Sequence, residues 1–256
     1  MGDATNLAVP RLISVPDGAT AELAVFADKA ALVNGAAAFI AEQAGEAIDR
    51  RGRFAFALSG GSTPKPVYER LASLRGLDWR RVDVFFGDER CVPPDDGRSN
   101  FAMAKAALLD RVDIPSQNVH RIRGEAPPQV AAESYAEELR KTLGDGGRLD
   151  LVLLGLGENG HTASLFPGLA ALEDEQHAVA AAYVEVAGMW RVTMTFPTIN
   201  AARRVAVLVS GVGKAGVLHE VLQGRREPFV LPAQSLRPEA RPAFWLVDAE
   251  AASMLT

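Results

Sequence analysis

Apolar residues along the chain fall into two kinds of run. One kind is short and dense: FAFALS (54–59), VDVFF (82–86), LDLVLLG (149–155), RVTMTF (191–196), RVAVLVSG (204–211) and AFWLVD (243–248). Blocks such as LDLVLL and VAVLV are apolar without alternation, the pattern of strands covered on both faces. The other kind is longer and spaced at helical period, over residues 20–50, 64–74, 100–110, 128–143 and 214–223. Pro64 suits the first turn of its helix, and Ser99 or Asn100 can cap the helix that follows. Strand, loop and helix recur in that order, which predicts an α/β fold with a mostly parallel sheet and helices on both faces. No internal repeat, low-complexity tract or linker divides the chain, so residues 1–256 are expected to form one domain.

Composition narrows the functional classes. A net charge of −5 gives no general attraction to nucleic acid or an anionic membrane, so an anionic ligand must meet a local basic cluster. One cysteine, Cys91, rules out an internal disulfide framework and fits a reducing cytoplasm. The opening MGDATNLAVPRLISVPDG has no basic region followed by an apolar one, so no secretory signal is expected. The alanine-rich stretch 30–41 is too short to span a bilayer and reads as a buried helix.

In a sheet of this kind ligands gather at the carboxyl ends of the strands. Four chemistry-bearing loops fall there: SGGSTPKP, GDERCVPPDDGRSN, GLGENGHTASLFPG and SGVGKAG. The third contains G-x-G-x-x-G (Gly155, Gly157, Gly160), a dinucleotide fingerprint in form. Only six residues separate Gly160 from Pro167, too few for the required helix, and LAALEDEQHAVAAAY offers no clear strand ending in an acid. The glycines instead permit a tight turn that brings His161 to a ligand. Gly60, Gly61, Ser62 and Thr63 form a strand-to-helix junction that either cradles a phosphate or simply caps a helix. Neither Ser59 nor Ser62 sits in a nucleophile elbow, because Ala57 and Pro64 stand where G-x-S-x-G needs glycine. The loop before Lys214 lacks phosphate-loop spacing, and Lys214 either meets an anion or is solvated. Asp88, Glu89, Arg90 and Arg98 leave the end of a buried strand; Arg90 could clamp a phosphate, while a metal is the weaker reading, because no second His or Cys lies near the adjacent carboxylates. His120, His177 and His219 read as structural or surface residues.

Together, in this order, LSGGSTP, GDERCVP…SN, GLGENGHTASLFPG and SGVGKA resemble the 6-phosphogluconolactonases, over about residues 54–247. The resemblance implies a Rossmann-like three-layer sandwich shared with glucosamine-6-phosphate deaminases and ribose-5-phosphate isomerases. It implies a soluble cytoplasmic hydrolase, a monomer or small homo-oligomer, acting on a phosphosugar lactone without cofactor or metal. His161 matches the family's general base, and Gly60, Gly61, Ser62 and Thr63 match its phosphate-contacting loop. Asp88 falls at the substrate, Arg90 and Lys214 match basic residues at the phosphate end, and Arg191 is a further candidate. Where the family commonly has aspartate, two residues before the histidine, this chain has Asn159, which can orient the ring but not balance its charge. The related deaminases carry glutamate where this chain has Phe166, and typically tyrosine where it has Arg90, although Asp88 matches their base. A phosphosugar sensor would have no need of His161.

Overall fold

The computed structural model describes residues 8–256; residues 1–7, where the segment expected to lack a secretory signal begins, lie outside the described residues. The elements are β1 (Arg11–Ser14), β2 (Thr20–Phe26), α1 (Lys29–Arg51), β3 (Phe54–Leu58), α2 (Pro64–Ser73), β4 (Val82–Phe86), β5 (Asp88–Arg90), α3 (Asn100–Ala107), α4 (Pro128–Leu143), β6 (Leu151–Gly155), β7 (Val179–Val184), β8 (Met189–Met194), α5 (Phe196–Asn200), β9 (Val205–Val209), α6 (Ala215–Gln223) and β10 (Phe244–Asp248). Seven strands form one sheet in the order β1-β2-β10-β9-β6-β3-β4, parallel except for the edge strand β1. Every residue of β3, β4, β9 and β10 is buried, as the unbroken apolar runs predict for strands covered on both faces. Helix α1 packs on β2, β3 and β10 and against α2. Among the described residues no helix is long and apolar enough to cross a membrane.

The chain proceeds from β3 to β4 on one side, then returns to β6 on the other and continues to β9. The adjacent ends of β3 and β6 therefore open away from each other, which is the switch point where such sheets form a ligand crevice. Two tyrosines hold the strand ends beside it. Tyr68 of α2 accepts from Ser59 N–H and donates to Ser59 C=O, both at 2.8 Å. Tyr135 of α4 does the same for Phe86, at 2.7 and 3.0 Å. Both hydroxyls are buried, which pushes their pKa values above that of a free phenol.

At the opposite edge, where strands begin, charges stitch neighbours together. Asp150 accepts from Ala55 N–H at 2.8 Å, Arg51 Nε at 2.9 Å and Arg203 Nε at 3.3 Å. Asp83 accepts from Arg53 Nε at 2.6 Å and faces His120 Nε2 at 3.3 Å, while His120 Nδ1 lies 2.7 Å from Glu138.

Three expectations change. Residues 20–50 are not one helix: β2 occupies 20–26, and α1 begins only after Asp28, whose side chain accepts from Ala31 N–H and caps it. Of the run 191–196, residues 191–194 lie in β8 of a second, antiparallel sheet, β5-β8-β7, rather than the parallel one, and Phe196 already opens α5. Its other strands, β5 and β7, come from stretches read as loop or without a clear strand; three residues and an alanine run are too short and too weakly patterned to announce themselves. Although Glu185 follows β7, that strand pairs outside the parallel sheet, so the dinucleotide pattern still lacks its context.

Candidate active site

All ten expected site residues line one cavity of about 640 Å³ at the carboxyl ends of β3, β6 and β9. It gathers Gly60, Gly61, Ser62 and Thr63 from the β3–α2 junction, Asp88 and Arg90 from β5, Asn159 and His161 from the turn after β6, Arg191 from β8, and Lys214 just before α6. Arg98, the other basic residue of its loop, turns outward to bind Asp96 through 2.8 Å contacts.

The turn after β6 is shaped around the histidine. His161 C=O accepts from Gly157 N–H at 2.8 Å, and Gly160, at φ +74°, donates to Gly157 C=O at 3.0 Å. A Cβ on Gly157 would lie 2.0 Å from Cε1 and Nδ1 of the His161 ring, so only glycine admits the imidazole. The glycines serve the histidine.

Asn159 fixes the ring's tautomer. Its Oδ1 lies 3.4 Å from the His161 backbone N–H and 2.5 Å from Nδ1. A backbone N–H can only donate, so the atom facing both groups is the amide oxygen, and Nδ1 must carry the proton. Nε2 is left with its lone pair. Burial pushes the pKa of His161 down to about 4; Lys214, Arg191 and Arg90 act in the same direction, and Asp88 opposes them. At neutral pH the ring is an uncharged acceptor. Phe166 stacks on it with ring centroids 3.8 Å apart and planes inclined by 16°.

Alternation along β5 puts Asp88 and Arg90 on the cavity side and sends Glu89 to the other. Buried Glu89 accepts from the N–H groups of Arg90, Asn100 and Phe101 and from Ser99 Oγ, pinning the start of α3. Desolvation raises its pKa even with these donors. Buried Asp88 accepts from Ser164 Oγ at 2.6 Å and from Asn100 Nδ2 at 3.1 Å. Asn100 in turn excludes any side chain at position 60, since a Cβ there would fall 1.8 Å from its Oδ1.

Arg90 and Arg191 stand directly opposite each other in the β5–β8 pairing. Neither Nε has a hydrogen-bond partner among the described residues, although Arg90 also donates to Arg98 C=O. Burial and the neighbouring Arg90 lower the pKa of Arg191. Like charges in register are unfavourable by themselves, and the open guanidinium donors make this wall chemically complementary to an anion. Lys214 adds a third cation, 4.0 Å from exposed Glu158. Residues 60–64, which open α2, line the same cavity, and the first amides of a helix lack intrahelical partners. Among the described residues no group of three or more His, Cys, Asp or Glu side chains is placed to hold a metal ion.

Sequence reasoning passed over four lining or supporting residues. Asn100 read only as a cap and Phe166 only as a missing carboxylate. Ser164 gave no signal beyond its place after the histidine, and Val186, on the β7–β8 connection, belongs to a hairpin that was not foreseen. His120, read as structural, is buried between two carboxylates, and His177 is exposed.

Residues 27–245 match the profile of the family described as glucosamine-6-phosphate isomerases/6-phosphogluconolactonase. A 6-phosphogluconolactonase of a Nostoc species is 39% identical over 91% of this chain and 97% of its own. The solved 6-phosphogluconolactonase of Trypanosoma brucei superposes with a TM-score of 0.81 at 32% identity, covering 91% of this chain and 98% of that one. A monomeric glucosamine-6-phosphate deaminase superposes with a TM-score of 0.77 over 91% of this chain and 99% of its own, but at 23% identity that likeness speaks for the fold alone.

Proposed function

The chain belongs to the family of glucosamine-6-phosphate isomerases and 6-phosphogluconolactonases, and from that membership we propose that it opens 6-phospho-D-glucono-1,5-lactone to 6-phospho-D-gluconate, in the oxidative branch of the pentose phosphate pathway. The observation that carries this reading is one cavity joining a neutral histidine, with Nε2 unprotonated, to the facing Arg90 and Arg191, whose buried Nε donors have no partner among the described residues.

In this reading the substrate's phosphate lies against Arg90, Arg191 and Lys214, with the hydroxyls of Ser62 and Thr63 and the amides from Gly60 onward completing the cradle. Held there, the lactone presents its carbonyl carbon to a water at His161. Nε2 takes a proton from that water as its oxygen bonds to the carbonyl carbon, and the carbonyl becomes an oxyanion stabilised by donors of the glycine turns. The bond from that carbon to the ring oxygen then breaks, and the imidazolium returns the proton to the departing oxygen. Asp88, fixed by Ser164 and Asn100, supplies the negative charge that Asn159 cannot. General acid–base assistance of this kind is worth about 10²–10⁴-fold. No step calls for a cofactor, and the described chain is proposed to act as one domain in the cytoplasm.

Aldose–ketose chemistry would need a proton-handling group beside the histidine, and Phe166 supplies none. The test uses the purified protein and freshly made lactone, following ester loss against the spontaneous rate beside His161→Ala. Hydrolysis lost in the variant, with no ammonia from glucosamine 6-phosphate, is the expected result; wild-type hydrolysis no faster than buffer overturns the assignment.

A further inference from the structure

Phe166 touches the reacting base and has no polar atom to offer the reaction. It is nevertheless held firmly. The turn between it and His161 closes through a bridge between Thr162 and Leu165, with Ala163 in the left-handed region at φ +48°. Leu165 is fully buried, and Ser164 is tied to Asp88. A residue with a Cβ seldom adopts that conformation, and here it delivers the phenyl ring face-on to the imidazole, 3.8 Å between centroids.

We propose that Phe166 is a positioning residue for His161: its flat ring sets the plane of the imidazole while Asn159, at Nδ1, selects which of its two edges faces the cavity, so that Nε2 is presented there. Neither contact suffices alone. One hydrogen bond at Nδ1 leaves the ring plane able to tilt about that contact, and a stacked face still admits the half-turn about Cβ–Cγ that exchanges the two edges of the ring. The stack also keeps water from one face of the ring, in line with the lowered pKa of the group. The charged groups facing His161 are Asp88 and Arg90 on β5, Arg191 on β8 and Lys214 before α6, with Glu158 beside Lys214. None of them is altered by substituting Phe166.

The proposal rests on the lactonase reading for its kinetic arm only. Phe166→Leu keeps apolar bulk without a flat ring, Phe166→Tyr keeps the ring, and Phe166→Ala removes both. Phe166→Leu is expected to lower kcat about 10- to 100-fold, the scale of a small misplacement of a reacting group, with KM little changed. Phe166→Tyr is expected to recover most of kcat. In NMR titrations without substrate, the His161 pKa should stay low in Phe166→Leu and rise toward its ordinary value in Phe166→Ala. Wild-type kcat in Phe166→Leu, or Phe166→Tyr no better than Phe166→Leu, overturns the proposal, as does an unmoved titration in Phe166→Ala. A wild type without lactonase activity overturns the proposed reaction instead, and the titrations still report on the stack.

Discussion

The His161 imidazole lies on Gly157 so closely that one added methyl group would fall 2.0 Å from two ring atoms. The obstacle is a side chain at the cavity surface rather than backbone, so Gly157→Ala should displace the ring and leave the fold intact. We expect kcat to drop about 100-fold, with circular dichroism and Tm near wild type. Activity within a few-fold of wild type would show that the ring tolerates a different seat.

The pH profile follows from the lowered pKa of His161. A general base works when deprotonated, so kcat/KM should fall only as pH drops through about 4 and be level at neutral pH. In Asn159→Asp, a carboxylate against Nδ1 favours the imidazolium, which moves the acid limb to higher pH. A limb unmoved by this substitution would show that position 159 orients the ring without tuning it.

Opposed Arg90 and Arg191 tie binding to stability. Replacing Arg191 with Met should raise KM at least ~10-fold, since a charge-assisted contact to phosphate is lost. The same change should raise the stability of the unliganded protein by about 0.2–1 kcal/mol by relieving the like-charge pair. Thermal melting checks the second half, and a lower Tm would mean that packing of the Arg191 stem outweighs the repulsion.

Tyr68→Phe leaves Ser59 N–H and C=O buried without the tyrosine partner. Each such group costs about 1–3 kcal/mol, so the variant should lose about 2–6 kcal/mol in urea melts. A smaller loss would indicate that water reaches the strand end.

His120 contributes to stability in a pH-dependent way. Burial works against its charge, but Asp83 and Glu138 prevail and raise its pKa above 6.5. Its contribution is therefore complete below the unfolded value and is lost as pH rises through the raised one. Asp83 runs the other way: despite the opposing effect of burial, His120 and Arg53 lower its pKa, so its share is lost as acid protonates it. The gap in Tm between wild type and His120→Ala should accordingly be widest in mild acid and narrow toward alkaline pH; a constant gap would mark a packing role only.

The parallel sheet was legible because its strands are buried on both faces and so write unbroken apolar runs. The site was legible because Gly155–Gly157–Gly160 fails as a nucleotide loop, which leaves His161 as the reason for those glycines. What stayed hidden depends on pairing across the fold. Strand β5 exists because Arg90 meets Arg191, a residue 101 positions away, and nothing in GDER alone distinguishes strand from loop. The tyrosine clamps are similarly silent, since Tyr68 and Tyr135 occupy ordinary apolar places in their helices. Left-handed Ala163 could not be read at all, because alanine carries no mark of that conformation.

The charged seam along the starting edge of the strands divides labour within the sheet. Asp83 and Asp150 bind their arginine partners one strand's length from the cavity, about 15 Å for five residues. Substitutions in the loops that face substrate leave that seam untouched. The chain can thus trade one chemistry for another in the loops at its working end while its foundation stays put, provided the tyrosine clamps on Ser59 and Phe86 are kept.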